Sequence, residues 1–353
     1  MVSKKQIPVI ILAGFLGSGK TTFLNHLLAQ SRGTRIGAIV NDFGAIEIDA
    51  MAVAGQLGDS TVSLGNGCLC CAVDASELDE YLEKLTRPAA RLDVIVIEAS
   101  GLAEPQELVR MILASENERI VYGGLAEVVD AAEFDATRER HPELDRHLAI
   151  ADLVVLNKTD RVGEERLGRV LDTVAGLSGD TAVVRASYGR IDPELLFDPV
   201  VRPDAEEKAR QLSFDDLRSE EEAYDCDGGH LHATYESVSF TSDVPMDPRR
   251  LMEFLDTRPE GLYRIKGYVD FGTADVRNRY GVHAVGRFLR FYPEPWGRDE
   301  PRITRLVLIG SGTDTEALGK ELAACREDGA RGAAAAADEH SMWGVLRYVQ
   351  GED

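Results

Sequence analysis

A glycine-rich segment near the N-terminal end constrains the fold more than any other part of the chain. Residues 9–13 read Val-Ile-Ile-Leu-Ala, a short apolar run that is typical of a buried strand. Residues 14–21 follow and fit the pattern Gly-x-x-x-x-Gly-Lys-Ser/Thr without a mismatch. Residues 23–28 are mostly apolar and predict a helix. A chance match in a glycine-rich turn is the alternative, but the flanking strand and helix favour a phosphate-binding loop.

Each position of this loop has a chemical role in holding phosphates. The glycines let the backbone curl so that its N–H groups point inward. Lys20 is expected to reach the β- and γ-phosphates and to act in catalysis by stabilising the transferring group, and Thr21 is expected to offer its hydroxyl to Mg²⁺. We therefore predict nucleotide binding by Gly14, Gly17, Ser18, Gly19, Lys20, Thr21 and Thr22.

Length and charge limit the class of protein. The chain has 353 residues, which is more than one ordinary core needs, so two domains are expected. A net charge of −22 argues against nucleic acid or an anionic membrane as a partner, and no apolar run has the length of a membrane span. Residues 4–16 faintly resemble a signal peptide, but its cleavage would destroy the phosphate loop. We therefore expect a cytoplasmic protein.

Three of the five cysteines, Cys68, Cys70 and Cys71, lie within four residues. This spacing is unlike a disulfide framework and indicates a metal or redox site in a reducing compartment. Thiolates bind soft or borderline ions such as Zn²⁺, Co²⁺ or Cu⁺, and a further ligand has to come from elsewhere. The alternative is small cysteines buried as hydrophobic residues. Asp42 and Glu47, which follow the strand predicted at residues 35–40, are either metal ligands or ordinary surface carboxylates.

A second carboxylate position belongs to the predicted nucleotide site. Residues 91–98 predict a buried strand that ends at Glu98. An acid at the end of such a strand holds Mg²⁺ through water or orients the attacking water, so Glu98 is a catalytic candidate. In the loop that follows, the N–H of Gly101 is a candidate contact to the γ-phosphate.

The residues Asn157-Lys158-Thr159-Asp160 follow another predicted strand and point to guanine. In this arrangement Asp160 accepts hydrogen bonds from N1–H and the 2-amino group of guanine. Adenine has no 2-amino group and would leave a buried carboxylate unpaired. Lys158 is expected to lie along the base plane, and Asn157 to tie the loop together. The predicted ligand is therefore GTP with Mg²⁺.

The order of the elements predicts the fold. Alternating strands and helices over residues 1–202 predict an α/β domain with a doubly wound, mostly parallel sheet and the nucleotide at the carboxyl ends of its strands. Residues 203–232 are acidic and are interpreted as a linker. Residues 233–353 predict a smaller α+β domain with strands at 234–240, 262–271, 281–288 and 302–309 and helices at 248–255 and 314–325.

Three further potential metal ligands close the acidic linker. Cys226, His230 and His232 form the pattern Cys-x₃-His-x-His. They are interpreted either as a transient metal site or as polar residues that enter a strand, and the residues favour neither over the other.

Taken together, these motifs resemble the CobW-type metal-chaperone GTPases in the SIMIBI branch of phosphate-loop proteins. The resemblance covers nearly the whole chain and rests on residues 14–22, 41–44, 67–71, 98–105 and 157–160, and in the second half on residues 237–240, 264–267 and 306–310. It implies GTP hydrolysis coupled to delivery of zinc or cobalt from the Cys-x-Cys-Cys site to a client metalloprotein. A nucleotide-dependent homodimer is compatible with it. Asp42 and Glu104 stand where the family usually has Glu and Asp, and Ala45 stands where it often has Glu.

Two other functions are compatible with the same residues. One is a metal sensor or storage protein that binds nucleotide without productive turnover. The other is a thiol-redox module that uses Cys70 and Cys71, which is disfavoured because adjacent cysteines form only strained disulfides.

Overall fold

The computed structural model describes residues 6–30, 33–40, 61–63, 75–88, 90–198, 235–298, 300–327 and 340–349. In the first half the strands are β1 (Ile7–Ala13), β2 (Ile36–Val40), β3 (Thr61–Ser63), β4 (Val94–Glu98), β5 (Ile120–Asp130), β6 (Leu153–Asn157) and β7 (Ala182–Arg185). The helices of this half are α1 (Lys20–Ala29), α2 (Ala75–Leu85), α3 (Pro105–Ala114), α4 (Phe134–Arg140), α5 (Leu144–Ile150) and α6 (Glu164–Ser178).

The strands of the first half form one parallel sheet. Their order is β3-β2-β4-β1-β5-β6-β7, and each pairing between described strands is parallel. Helices cover both faces: Leu24 of α1 packs on one face with Ile10, and Leu108 of α3 packs on the other with Ile11. Because helices cover both faces of β1, its sequence is a continuous apolar run. The predicted doubly wound α/β fold is confirmed.

The register of the central strands places one acidic residue on each side of the end of β1. β1 lies between β4 and β5, with Leu12 paired to Glu98 and Ala13 paired to Glu127. The chain leaves β1 at this edge and enters the predicted phosphate loop. Both acidic residues therefore flank the start of the loop.

The second half forms an antiparallel sheet with helices. Its strands are β8 (Glu236–Ser242), β9 (Leu262–Val269), β10 (Asn278–Val285), β11 (Phe288–Pro295) and β12 (Thr304–Gly310), in the order β11-β10-β9-β12-β8. The described helices of this half are α7 (Pro248–Asp256), α8 (Thr315–Ala324) and α9 (Trp343–Leu346). Leu251, Leu322 and Val345 from these helices pack with Phe291 and Leu308 of the sheet. The predicted α+β class of this half is confirmed.

One strand predicted in this half is wrong. The expected strand at residues 281–288 ends at Val285, and a further strand begins at Phe288. The two form a hairpin in which Val285 pairs with Phe288. Gly286 begins the two-residue turn with a φ of 52°, a conformation that glycine adopts without steric cost. The apolar residues on both sides of the turn concealed it in the sequence.

The two halves contact each other through buried polar groups. Asp152, beside the start of β6, accepts hydrogen bonds from the Tyr122 hydroxyl at 2.5 Å and the Leu125 N–H at 2.9 Å. The N–H of Arg287, in the hairpin turn of the second half, also donates to this carboxylate. Burial raises the pKa of Asp152, and these donors lower it. Nearby, His283 of β10 contacts the Tyr122 carbonyl oxygen at 2.9 Å.

None of the helices in the described part of the chain combines the length and the apolar character that a bilayer crossing requires.

Asp152→Ala is expected to lower the free energy of unfolding by about 2 kcal/mol, because three donors lose their shared acceptor. The midpoint of urea unfolding, followed by circular dichroism, measures this effect. Asp172→Ala, on the exposed face of α6, is the matched control and should leave the midpoint unchanged. Equal midpoints for the two variants would show that the Asp152 contacts do not stabilise the fold.

Candidate nucleotide-binding site

The loop between β1 and α1 packs closely against the ends of two neighbouring strands. Gly14 and Gly19 have φ angles of 142° and 101°, which L-residues with a side chain rarely adopt. A Cβ atom on Gly14 would overlap the carbonyl oxygen of Val128, and one on Gly19 would overlap the side-chain amide of Asn157. The glycines at these two positions therefore let the loop lie directly on β5 and β6.

Lys20 lies within the loop, with 7% of its surface exposed. Its Nζ donates hydrogen bonds to the carbonyl oxygens of Gly14 at 2.8 Å and Phe15 at 3.3 Å. These carbonyl groups accept hydrogen bonds from an ammonium group that is largely shielded from solvent. The lysine is the first residue of α1, so its charge lies at the end of the helix where anions bind.

Thr21 and Glu98 form a pair of oxygen donors at the edge of this loop. The Thr21 hydroxyl donates to Glu98 Oε1 at 2.8 Å, and Glu98 is almost fully buried. Hydroxyl and carboxylate oxygens are hard ligands of the kind that Mg²⁺ prefers. The chemistry of this pair therefore fits the predicted magnesium site.

The other residues predicted for the phosphates lie along the same loop. Ser18 is buried, while Thr22 is exposed on the first turn of α1. The loop after β4 reaches the phosphate loop at Gly101, where an added Cβ would lie 2.6 Å from the Leu16 nitrogen. A side chain at this position would push the two loops apart. The carbonyl oxygen of Gly17 accepts a hydrogen bond from Lys158 Nζ at 2.6 Å.

The side chain of Asn157 joins the phosphate loop to the loop after β7. Its Nδ2 donates to the Ser18 carbonyl oxygen at 2.9 Å, and its Oδ1 accepts from the Gly189 N–H at 2.9 Å. The residue is 1% exposed, so water does not compete for either bond. The sequence predicts that Asn157 ties this region together, and the two bonds have this effect.

Lys158 and Asp160 complete the segment predicted to bind the base. Lys158 donates to Gly17 and also to Asp130 Oδ2 at 2.6 Å. Asp130 is the last residue of β5 and was not predicted as a site residue. Its position as an acid at the end of a strand, like that of Glu98, could have indicated it. The predicted recognition of guanine requires a buried Asp160 carboxylate, but the Asp160 side chain is exposed on the short turn Thr159–Arg161. A bound base itself would therefore have to cover the carboxylate.

The structure adds a buried carboxyl group that the sequence analysis did not select. Glu127 lies on β5 and is fully buried. Burial raises its pKa to about 8, and the charge of Lys20 opposes that shift. The sequence could have indicated Glu127, because it is a charged residue inside the apolar run of a predicted strand.

Several predicted metal ligands lie outside the described residues. These are Asp42, Glu47, Cys68, Cys70 and Cys71, together with Cys226, His230 and His232 of the linker. Within the described ranges, no group of three or more His, Cys, Asp or Glu side chains is arranged to hold a metal ion.

Comparisons with known proteins match both halves of the chain. A family model described as the CobW/HypB/UreG nucleotide-binding domain matches residues 8–185, and a model described as the cobalamin synthesis protein cobW C-terminal domain matches residues 235–326. The predicted domain boundaries at residues 202 and 232 stay predictions.

Curated relatives match over most of their length. "Zinc chaperone CobW" of Pseudomonas aeruginosa is 33% identical over 91% of this chain and 92% of that protein. "Zinc chaperone YjiA" of Escherichia coli is 31% identical over 91% of this chain and 99% of that protein. Among solved structures, Zn(II)-bound YjiA GTPase from E. coli aligns with a TM-score of 0.43 and 24% identity, over 92% of this chain and 100% of that chain.

Asn157→Ala is expected to destabilise the site by about 2 kcal/mol, because the Ser18 carbonyl and the Gly189 N–H lose their partner in a buried position. Hydrogen exchange measures the effect locally. The Gly189 amide should exchange faster in the variant, while the amide of Val155, in the core of β6, should keep its protection. Unchanged protection at Gly189 would contradict the role of Asn157.

Proposed function

The chain belongs to the CobW/HypB/UreG family of nucleotide-binding proteins, and we propose that it is a GTP-hydrolysing zinc chaperone that delivers its metal to a client metalloprotein. The family match confirms the resemblance to CobW-type proteins that the sequence motifs indicate. Relatives named zinc chaperones, matched over nine-tenths of the chain, support zinc as the cargo. The observation that carries the GTPase part is the hydrogen bond from Thr21 to Glu98, which unites the phosphate loop with the acid at the end of β4.

The residues of the loop suit phosphoryl transfer to water. Lys20 supplies a positive charge in a site from which water is largely excluded, where charge stabilisation is most effective. Thr21 would hold Mg²⁺ directly and Glu98 through water, and the ion would neutralise charge on the phosphates when bound. Glu98 would also orient the attacking water. The N–H of Gly101, held against the phosphate loop, would donate to the γ-phosphate.

The segment after β6 supports guanine as the base. Lys158 is held beside the phosphate loop by its hydrogen bonds to Gly17 and Asp130. We propose that Asp160 accepts the two N–H groups of guanine. Its exposure in this structure leaves the carboxylate accessible to a base.

Zinc would bind the thiolates of Cys68, Cys70 and Cys71. In the chain these residues lie between the loop with Asp42 and the strand that ends at Glu98. GTP contacts on both sides would therefore order the cysteine segment, and hydrolysis would release it. A reducing cytoplasm suits this cargo, because free thiols are needed to bind it.

Asp160→Asn is expected to weaken GTP binding by roughly 10- to 100-fold and to admit xanthosine triphosphate, whose 2-oxo group requires a donor. A competition titration between the two nucleotides measures the preference. Asp172→Asn on α6 is the control and should retain the preference for GTP. If Asp160→Asn also retained it, another residue would recognise the base.

Zinc should bind about 5- to 150-fold more tightly with a non-hydrolysable GTP analogue and Mg²⁺ than with GDP, as is typical of coupled sites. Competition with a chelator measures both affinities. Cys70→Ala should lose most of the affinity in both states. Cys325→Ala should lose none, because this buried thiol lies in the second half and contacts the carbonyl oxygen of Glu321.

Equal zinc affinities in the two nucleotide states would contradict the chaperone mechanism. The same preparations, followed through a single turnover of GTP with and without zinc, separate a chaperone from a sensor or storage protein. A chaperone hydrolyses GTP at a rate that depends on zinc, whereas a storage protein shows no productive turnover. Cobalt, tested in the same competition, identifies the preferred ion.

A further inference from the structure

Glu127 is a buried carboxyl group directly behind the phosphate loop. It lies on β5 opposite Ala13, the residue that precedes Gly14. Its exposed fraction is 0%, and neither carboxylate oxygen has a hydrogen-bond partner among the described residues. A buried carboxylate without hydrogen bonds is costly, so such a group responds strongly to any charge placed near it.

Two basic side chains face Glu127 from different helices. Lys20, from α1, acts on it through its charge. His147, from α5, places Nδ1 4.0 Å from Glu127 Oε1. On the far side of the imidazole, Glu104 Oε2 lies 3.5 Å from Nε2. Glu104 immediately precedes α3 and ends the loop that contains Gly101.

His147 also contacts the phosphate loop, although it is buried. Its ring stacks on Phe15, with the centroids 5.5 Å apart and an interplanar angle of 18°. Burial lowers the pKa of His147, and the nearby charges of Glu104 and Glu143 oppose this shift, while Arg146 adds to it. At neutral pH the imidazole is therefore mostly neutral, and the charge of Lys20 is the principal one that favours an ionised Glu127.

Nucleotide binding changes this balance. The phosphates would bring several negative charges to the loop that follows Ala13. The positive charge of Lys20 would then also interact with the phosphates and would stabilise an ionised Glu127 less. Both effects disfavour a second negative charge at Glu127.

We propose that Glu127 takes up a proton from solvent when GTP enters the phosphate loop, so that GTP binding by this chain is linked to pH. The inference rests on the proposed function for its ligand. Glu127 has no exposed surface, and in this proposal it acts through the charge of Lys20 as a positioning residue. Because the bound state holds more protons, GTP affinity falls as the pH rises through the pKa of Glu127 in the free protein, which is about 8.

The free protein supplies a test that needs no nucleotide. A carboxyl group whose pKa is raised by folding stabilises the fold at low pH, and this contribution is lost as the pH rises toward the folded pKa. The urea midpoint of Glu127→Gln should therefore rise relative to the wild type between about pH 5 and about pH 8 and level off above that range. Glu127→Met, which removes the titrating group and keeps the volume, provides the same comparison if the first variant does not fold.

Calorimetry of GTP binding tests the coupling. Titrations in two buffers with different heats of ionisation give the number of protons taken up. The wild type should take up protons at about pH 8 and bind GTP about fivefold more weakly at about pH 9 than at about pH 7.5. Glu127→Gln should show neither that proton uptake nor that pH dependence. Subtracting the proton count of this variant from that of the wild type also removes the contribution of any proton released by the nucleotide.

Glu143→Gln is the matched control. This surface residue also faces His147, and hydrogen bonds to its carboxylate hold its pKa below the usual range, so it stays ionised throughout the titration. The control should therefore take up protons as the wild type does.

Each outcome decides a different point. Equal proton uptake by the wild type and Glu127→Gln overturns the coupling. A urea midpoint difference that does not change with pH overturns the titration of Glu127 itself. Absence of GTP binding in all variants overturns the proposed function and with it the coupling, while the unfolding comparison still reports whether Glu127 titrates near pH 8.

Discussion

The two hydrogen bonds of the Asn157 side chain are the interaction on which the nucleotide site depends. One holds the phosphate loop at Ser18, and the other holds the loop after β7 at Gly189. Both bonds are buried, and Gly19 leaves the space that the amide requires. A fixed distance between these loops would set the distance between the proposed phosphate site and the proposed base site.

Charge is concentrated at one edge of an otherwise apolar sheet. Lys20, Glu98 and Glu127 are all buried at the carboxyl ends of the central strands, while the interior of β1 and β4 is aliphatic. Buried charges are costly unless they are paired or neutralised. The carbonyl oxygens of the loop satisfy the lysine, the Thr21 hydroxyl satisfies one carboxylate oxygen of Glu98, and a raised pKa leaves Glu127 mostly protonated at neutral pH. The cost of burying an ionisable side chain is thus reduced in a different way for each of these three residues.

Local patterns were sufficient for the fold class and for the loops of the candidate site. The phosphate loop and the segment Asn157–Asp160 are contiguous, and their backbone conformations follow from glycine and from strand ends, so the sequence contains the required information. The pairing of Glu127 with His147 and the carboxylate of Asp152 depend on residues that are distant in the chain. No spacing rule relates them, and only the register of β5 with β1 brings Glu127 behind the loop. The hairpin turn at Gly286 was missed because apolar residues continue on both sides of it.

The contact at Asp152 has a mechanical consequence. β6 begins one residue after the carboxylate that receives the hairpin turn of the second half, and it ends at Asn157, which holds the phosphate loop. Between these two contacts the extended strand is about 17 Å long. Its neighbour β5 runs parallel to it and spans the same distance between Leu125 and Asp130. Force applied to the hairpin is therefore transmitted along both strands to the loops that would hold the nucleotide, with little loss to bending.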